Sequence, residues 1–230
     1  MRSIAKLMKD WQFTGPNGVT TAVELPHTWN ARDGQDGGND YWRGCCTYCT
    51  RFAAPVYDPA QQQVWLQFEG VNASAAVLLN GQQLCTHDGG YSTFRAEVTE
   101  LLQAENQLTV RVDNSVNDRV YPQKADFTFY GGIYRDVSLL VVNKNHIALG
   151  HFGDTGVKIT PALKEGSADI QVETLVEGSG TVTVELLDAE GRTAAKGEGE
   201  NTFLHLDAPH LWNGVKDPYL YTCVVRLLQD

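Results

Sequence analysis

The chain is predicted to be all-β, a jelly-roll β-sandwich followed by an immunoglobulin-like β-sandwich. Three observations carry that prediction. Apolar residues alternate with polar ones in short runs, as in Leu108-Thr109-Val110-Arg111-Val112-Asp113, which is the period of a strand with one wet face. Turn signals separate the runs, and no segment sustains the 3.6-residue period of an amphipathic helix. Near Asn143-Lys144-Asn145 the character changes: aromatics thin out and the runs become shorter and more regular.

Taken in order, residues 11–13 and 19–25 read as short strands. A long polar stretch from Leu25-Pro26-His27-Thr28-Trp29-Asn30-Ala31 to Tyr41-Trp42-Arg43-Gly44 follows. A loop of that length inside a compact domain is usually functional or disordered. The aromatics Trp29, Tyr41 and Trp42 at its ends argue for a packed loop. Residues 45–52 form a strand, and residues 64–69 another, with Val64, Leu66 and Phe68 on one face. Gly70-Val71-Asn72 turns the chain. Residues 75–79 and 82–86 flank Asn80-Gly81, the strongest hairpin signal in the sequence. Residues 94–98 and 108–113 are strands, and 99–102 make at most one helical turn. A second long polar loop, 114–124, leads to Asp126-Phe127-Thr128-Phe129-Tyr130-Gly131-Gly132-Ile133-Tyr134-Arg135-Asp136-Val137. About eight strands with long crossing loops favour a jelly roll over residues 1–143.

Residues 144–230 show six strand candidates, at 146–152, 157–160, 170–176, 182–187, 202–206 and 219–228. Seven strands in about 100 residues is the immunoglobulin pattern. The sequence ends directly after a strand, so this domain is expected to be truncated before its last strand, with one sheet edge open to pairing.

Composition narrows the function. The chain has 230 residues, 42% hydrophobic, and a net charge of −10. Without a basic block, nucleic acid is not an expected partner. No apolar run approaches the roughly 20 residues that span a bilayer, so no membrane is expected either. Residues 1–9 carry Arg2, Lys6 and Lys9 without an apolar core, unlike a signal peptide. The five cysteines cannot all pair with one another, and cytoplasmic free thiols are expected. Cys46 and Cys49 have C-x-x-C spacing, but on a strand residues three apart point to opposite faces and cannot readily share one metal ion.

The stretch around Asp126 is the strongest candidate site. An ionised carboxylate accepts hydrogen bonds from adjacent sugar hydroxyls, and aromatic faces cover the apolar C–H face of a pyranose. Gly131 and Gly132 let the backbone bend or approach closely. The competing reading is a tight loop entering a strand, with Asp126 capping the turn.

Together these motifs resemble the N-terminal region of glycoside hydrolase family 2, which contains β-galactosidases and β-glucuronidases. The resemblance runs through Leu25-Pro26-His27-Thr28-Trp29, Asn39-Asp40-Tyr41-Trp42-Arg43-Gly44, Phe68-Glu69-Gly70-Val71-Asn72, Leu79-Asn80-Gly81 and Gly89-Gly90-Tyr91. It continues through Asn106-Gln107-Leu108-Thr109-Val110, Gly131-Gly132-Ile133-Tyr134-Arg135-Asp136-Val137, Leu211-Trp212 and Asp217-Pro218-Tyr219-Leu220-Tyr221. It implies a retaining β-galactosidase-type hydrolase of β-galactosides or related glycosides, whose catalytic (β/α)8 barrel would follow these two domains. Such enzymes need two carboxylates about 5–5.5 Å apart. This chain supplies no such pair and no Asn-Glu dipeptide, so alone it is expected to be inactive. The resemblance assigns Asp126 to sugar binding, with Asn39 and Asp40 from the preceding polar loop as further substrate-binding candidates. It also implies that sodium or magnesium is possible in a full-length parent, that the catalytic barrel is a partner, and that the parent is possibly a homo-oligomer. Arg135 and Asp136 are expected to form a structural salt bridge, and His87 and Asp88 to stabilise a loop. Two alternatives stand beside this reading: a free-standing carbohydrate-binding module, and a structural or adhesion protein built of two sandwiches.

Overall fold

The computed structural model describes residues 2–33, 42–121, 129–150 and 153–229. They form two compact units, Met1–Asn143 and Lys144–Asp230.

The strands of the first unit are β1 (Ser3–Lys6), β2 (Trp11–Thr14), β3 (Thr20–Val23), β4 (Cys45–Ala53), β5 (Gln62–Phe68) and β6 (Val71–Asn72). They continue with β7 (Ser74–Leu79), β8 (Gln82–Asp88), β9 (Phe94–Glu97), β10 (Glu105–Asp113), β11 (Gly132–Ile133) and β12 (Val137–Asn143). One sheet has the order β3-β2-β4-β10-β7-β8, another β1-β12-β5-β9, and β11 pairs with β6. Strand alternation decides which side chains enter the core. Cys46, Tyr48 and Phe52 from β4, Leu108, Val110 and Val112 from β10, and Ala75, Val77 and Leu79 from β7 meet Val64, Leu66 and Phe68 of β5 and Val137, Leu139 and Val141 of β12. Each such large side chain taken from water contributes about 1.5–3 kcal/mol. The β7–β8 turn is the Asn-Gly hairpin that the sequence predicts. Asn80 and Gly81 have φ of 52° and 83°, the left-handed pair of a type I′ turn whose twist matches the strands.

β1 was not anticipated. It is fully exposed along its length and owes its conformation to the ladder with β12, from Ser3 opposite Val141 to Lys6 opposite Ser138. Lys6 also pairs with Asp136 at 2.6 Å. That corrects the expected Arg135–Asp136 bridge. Adjacent residues of extended chain point apart, and Arg135 instead donates to the carbonyls of Glu69 and Tyr91.

The second unit holds β13 (His146–Ile147), β14 (Val157–Lys164), β15 (Ser167–Thr174), β16 (Val176–Glu177), β17 (Thr181–Leu187), β18 (Thr193–Glu198), β19 (Asn201–Asp207) and β20 (Thr222–Leu228). Sheets β14-β15-β19 and β18-β17-β20 enclose a core of Ile170, Val172, Val182, Val184, Leu186, Leu204 and Leu206. β18 escaped the sequence reading because Thr193-Ala194-Ala195-Lys196-Gly197-Glu198 has no apolar alternation; its pairing with β17 sets it. β14 runs past Pro161, where the expected strand stopped. It lies at a sheet edge, where a residue without an N–H is tolerated.

Candidate functional site

Asp126, Asn39 and Asp40, the predicted substrate-binding residues, lie outside the described residues, as does Phe127. The structure does describe the residues on either side of them, and one buried side chain ties those together.

Asn30, fully buried, follows β3 on a segment that runs beside β11. His27 N donates to Ile133 O at 2.8 Å, Trp29 N to Gly131 O at 3.3 Å, and the Thr28 hydroxyl to Gly131 O at 2.8 Å. That arrangement delivers the Asn30 amide to the centre of the loops. Its oxygen accepts from Gly131 N at 2.8 Å and from the Asn114 amide at 3.1 Å. Its nitrogen donates to Asp33 Oδ2 at 2.7 Å and to Trp42 O at 3.0 Å. Both donors and both acceptor positions of the amide are thus used. Asp33 Oδ2 also accepts from Trp42 N at 3.0 Å, so Asp33 and Trp42, which flank residues 34–41, are held together. Asn114, also buried, accepts from Gly44 N at 2.8 Å.

Gly131 and Gly132 fit because nothing larger can. A Cβ at Gly131 would lie 2.4 Å from the Trp29 ring and 2.5 Å from the Asn114 amide. One at Gly132, where φ is +132°, would lie 2.5 Å from His27 O and 2.7 Å from the Tyr48 hydroxyl. The close approach that the sequence predicts for the glycine pair is therefore present.

Beneath the loops Phe13 stacks on Trp29, ring centroids 6.0 Å apart, and Trp29 meets Trp42 edge-on at 6.0 Å. His27 and Tyr48 share a hydrogen bond of 2.7 Å. Burial pushes the His27 imidazole below its ordinary pKa and the Tyr48 phenol above its own, so both are neutral packing groups rather than acid–base candidates.

Phe129 and its neighbour differ sharply: Phe129 is only 5% exposed, while Tyr130 beside it is 41% exposed. Extended chain puts the two on opposite sides, and Phe129 turns inward beside Arg43, Asn72, Asn114 and Val120. The cavity these residues line measures about 10 Å³, too small for a pyranose. Around Asn30 and Phe129 the described residues therefore form a scaffold for a site rather than a sugar pocket. His87 and Asp88 stabilise a loop: His87 contacts Gly89 O at 3.0 Å, and Asp88 pairs with Arg119 at 2.9 Å.

Asn30 and Asn114 were not singled out in the sequence. Their signal is faint: one asparagine in each of the two long polar loops, where backbone groups lack ladder partners.

Comparison with known proteins bears on what the scaffold serves. A family profile described as glycosyl hydrolase 2 galactose-binding domain-like matches residues 38–162, and one described as glycosyl hydrolases family 2 matches residues 151–230. A beta-glucuronidase of Bacteroides fragilis is 32% identical over 97% of this chain and 35% of its own length. A beta-galactosidase of Bacteroides ovatus is 30% identical over 96% of this chain and 29% of its own. The crystal structure of an FMN-binding beta-glucuronidase from Facaelibacterium prausnitzii L2-6 superposes with a TM-score of 0.92 at 35% identity, covering all of this chain and 37% of that one. The chain spans about a third of the length of these relatives.

Proposed function

Because the chain belongs to glycoside hydrolase family 2, we propose that it is the non-catalytic N-terminal part of a retaining β-glycosidase. In this reading it shapes the sugar pocket of a (β/α)8 barrel carried by the rest of the enzyme. The observation that carries the proposal is the Asn30 amide, whose four hydrogen bonds tie Asp33, Trp42, Asn114 and Gly131 to one buried point. A clamp of that kind fixes the ends of two polar loop segments, one bearing Asn39 and Asp40 and the other Asp126. A binding group held on a rigid scaffold loses less entropy when substrate arrives. Asp126 would accept hydrogen bonds from sugar hydroxyls, with Asn39 and Asp40 completing the polar rim.

The substrate we favour is a β-glucuronide, because relatives named beta-glucuronidase match nearly the whole chain at 32% and 35% identity. A β-galactoside, the expectation from sequence, is the second reading, favoured by the Bacteroides ovatus relative. A cytoplasmic location, a sodium or magnesium ion in the full-length enzyme and a homo-oligomeric parent complete the proposal. Hydrolysis of aryl glucuronide against aryl galactoside by the full-length enzyme tests it. Turnover of the glucuronide at a higher kcat/KM supports the first reading and the reverse order the second. Hydrolysis of neither removes the proposal.

A further inference from the structure

The outward face of the six-stranded sheet, bordered by Arg119 of the 114–124 loop, carries a trough that the function above does not use. Its geometry follows from strand register. Asp113 of β10 lies opposite Ser74 of β7, which lies opposite Asp88 of β8. In the next row Arg111 lies opposite Ala76, and Ala76 opposite Thr86. The central strand therefore offers only small side chains, while the strands on either side carry long or charged ones. Two inter-strand spacings make the trough roughly 9.5 Å wide, and the rows stand about 6.8 Å apart. The resulting cavity measures about 350 Å³.

The charges are arranged unusually. Asp88 is committed, accepting from the Ser74 hydroxyl and from Arg119 Nε; these bonds hold its carboxyl below the usual range. Asp113 accepts from Ser115 N at 2.8 Å through Oδ1. Arg111 is exposed, and among the described residues its guanidinium has no hydrogen-bond or ion-pair partner. A guanidinium is a planar fork of donors that matches a carboxylate in two-point contact.

We propose that this trough binds a uronic acid residue of an acidic oligosaccharide, its carboxylate on Arg111 and its hydroxyls donating to Asp113. The two kinds of charge select the ligand. An inorganic anion would meet Arg111 but be repelled by Asp113, the charge of Asp88 being offset by Arg119. A neutral sugar would satisfy Asp113 and leave the Arg111 guanidinium without a carboxylate in two-point contact. A sugar acid answers both, and the floor of Ser74 and Ala76 leaves room for one pyranose ring. The site needs no catalytic group, so it stands apart from the reaction proposed above.

The test is a titration of the isotope-labelled chain, followed by amide shifts in two-dimensional NMR. Three probes are compared: a tetrasaccharide alternating glucuronic acid and N-acetylglucosamine, the same sugar with its carboxyls reduced to alcohols, and inorganic sulfate. The acidic sugar is expected to bind with a roughly millimolar Kd, shifting amides around Ala76, Thr86 and Arg111, and Arg111→Gln to weaken it about tenfold. Ala76→Leu fills the floor and is expected to abolish the shifts while the rest of the spectrum is kept. Equal binding of the reduced sugar, equal shifts with sulfate, shifts elsewhere, no shifts at all, or indifference to both substitutions in folded protein would each overturn the proposal.

Discussion

Asn114 donates its side-chain amide to Asn30 at 3.1 Å across 84 residues of chain, in a site closed to solvent. Asn30→Ala would leave Gly131 N, the Asn114 amide and Trp42 O without this partner. Each such buried group costs about 1–3 kcal/mol, partly recovered by relaxation, so the first unit should lose about 2–4 kcal/mol. Asn30→Asp should do no better, because a carboxylate cannot donate to Asp33 or Trp42 O. Urea denaturation of the chain measures both, and a loss under about 0.5 kcal/mol, the range of an ordinary surface site, would show that the clamp is dispensable.

Gly132 combines a positive φ with a Cβ position 2.5 Å from a carbonyl oxygen. Gly132→Ala should cost more than about 2 kcal/mol, strain and overlap acting together. Gly81→Ala is the comparison, with φ of +83° and nothing within 4 Å; it should cost about 1 kcal/mol from backbone strain alone. Equal losses in the two melting curves would mean the close approach at Gly132 is relieved by small shifts.

Two histidines should titrate in opposite directions. Burial lowers the His27 pKa, so unfolded chain binds its proton more readily than folded chain. Stability of the first unit should therefore fall as pH drops below about 6.5 toward the folded value, and level off beneath it. His205 is raised, first by its hydrogen bond to Asp169 and then by that to Asp207. Its contribution is present below about 6.5 and disappears as pH rises through the folded pKa. Imidazole titrations by NMR decide this; a His27 midpoint above that of His205 would contradict the burial argument.

On the proposed function the isolated chain should hydrolyse no aryl glycoside, the carboxylate pair that retention requires being assigned to the barrel. In the full-length enzyme Asp126→Ala should lower kcat/KM by about 30- to 1000-fold, equivalent to about 2–4 kcal/mol of transition-state binding. In the chain alone the same change should leave stability within roughly 0.5 kcal/mol. A folded full-length variant with undiminished kcat/KM would remove Asp126 from the sugar.

Alternation made most strands legible. Tyr48 and Phe52, or Val110 and Val112, announce one buried face, and Asn80-Gly81 announces its turn. β1 and β18 were illegible for one shared reason: neither buries a face of its own, and each takes its shape from a neighbour far away or already formed. The scaffold at Asn30 failed for a different reason. An asparagine shows its four hydrogen-bonding positions in the sequence but not its partners, and here those lie 3, 12, 84 and 101 residues away. Arg111 was read only as the wet side of a strand. Its place in the trough depends on Ala76 and Thr86 two strands across, a register that the order of residues does not state.

The pairing of β1 with β12 sets an order of events during synthesis. Ser3 waits for Val141, and no buried side chain of β1 holds it in the meantime. At about 5–20 residues per second the ribosome takes about 7–28 s to supply the partner. Until then β12's eventual neighbour β5 has an open edge on the nascent chain. A contact of such long range is a late one in folding, so the first four residues of the sheet to be made should be among the last to be protected from hydrogen exchange.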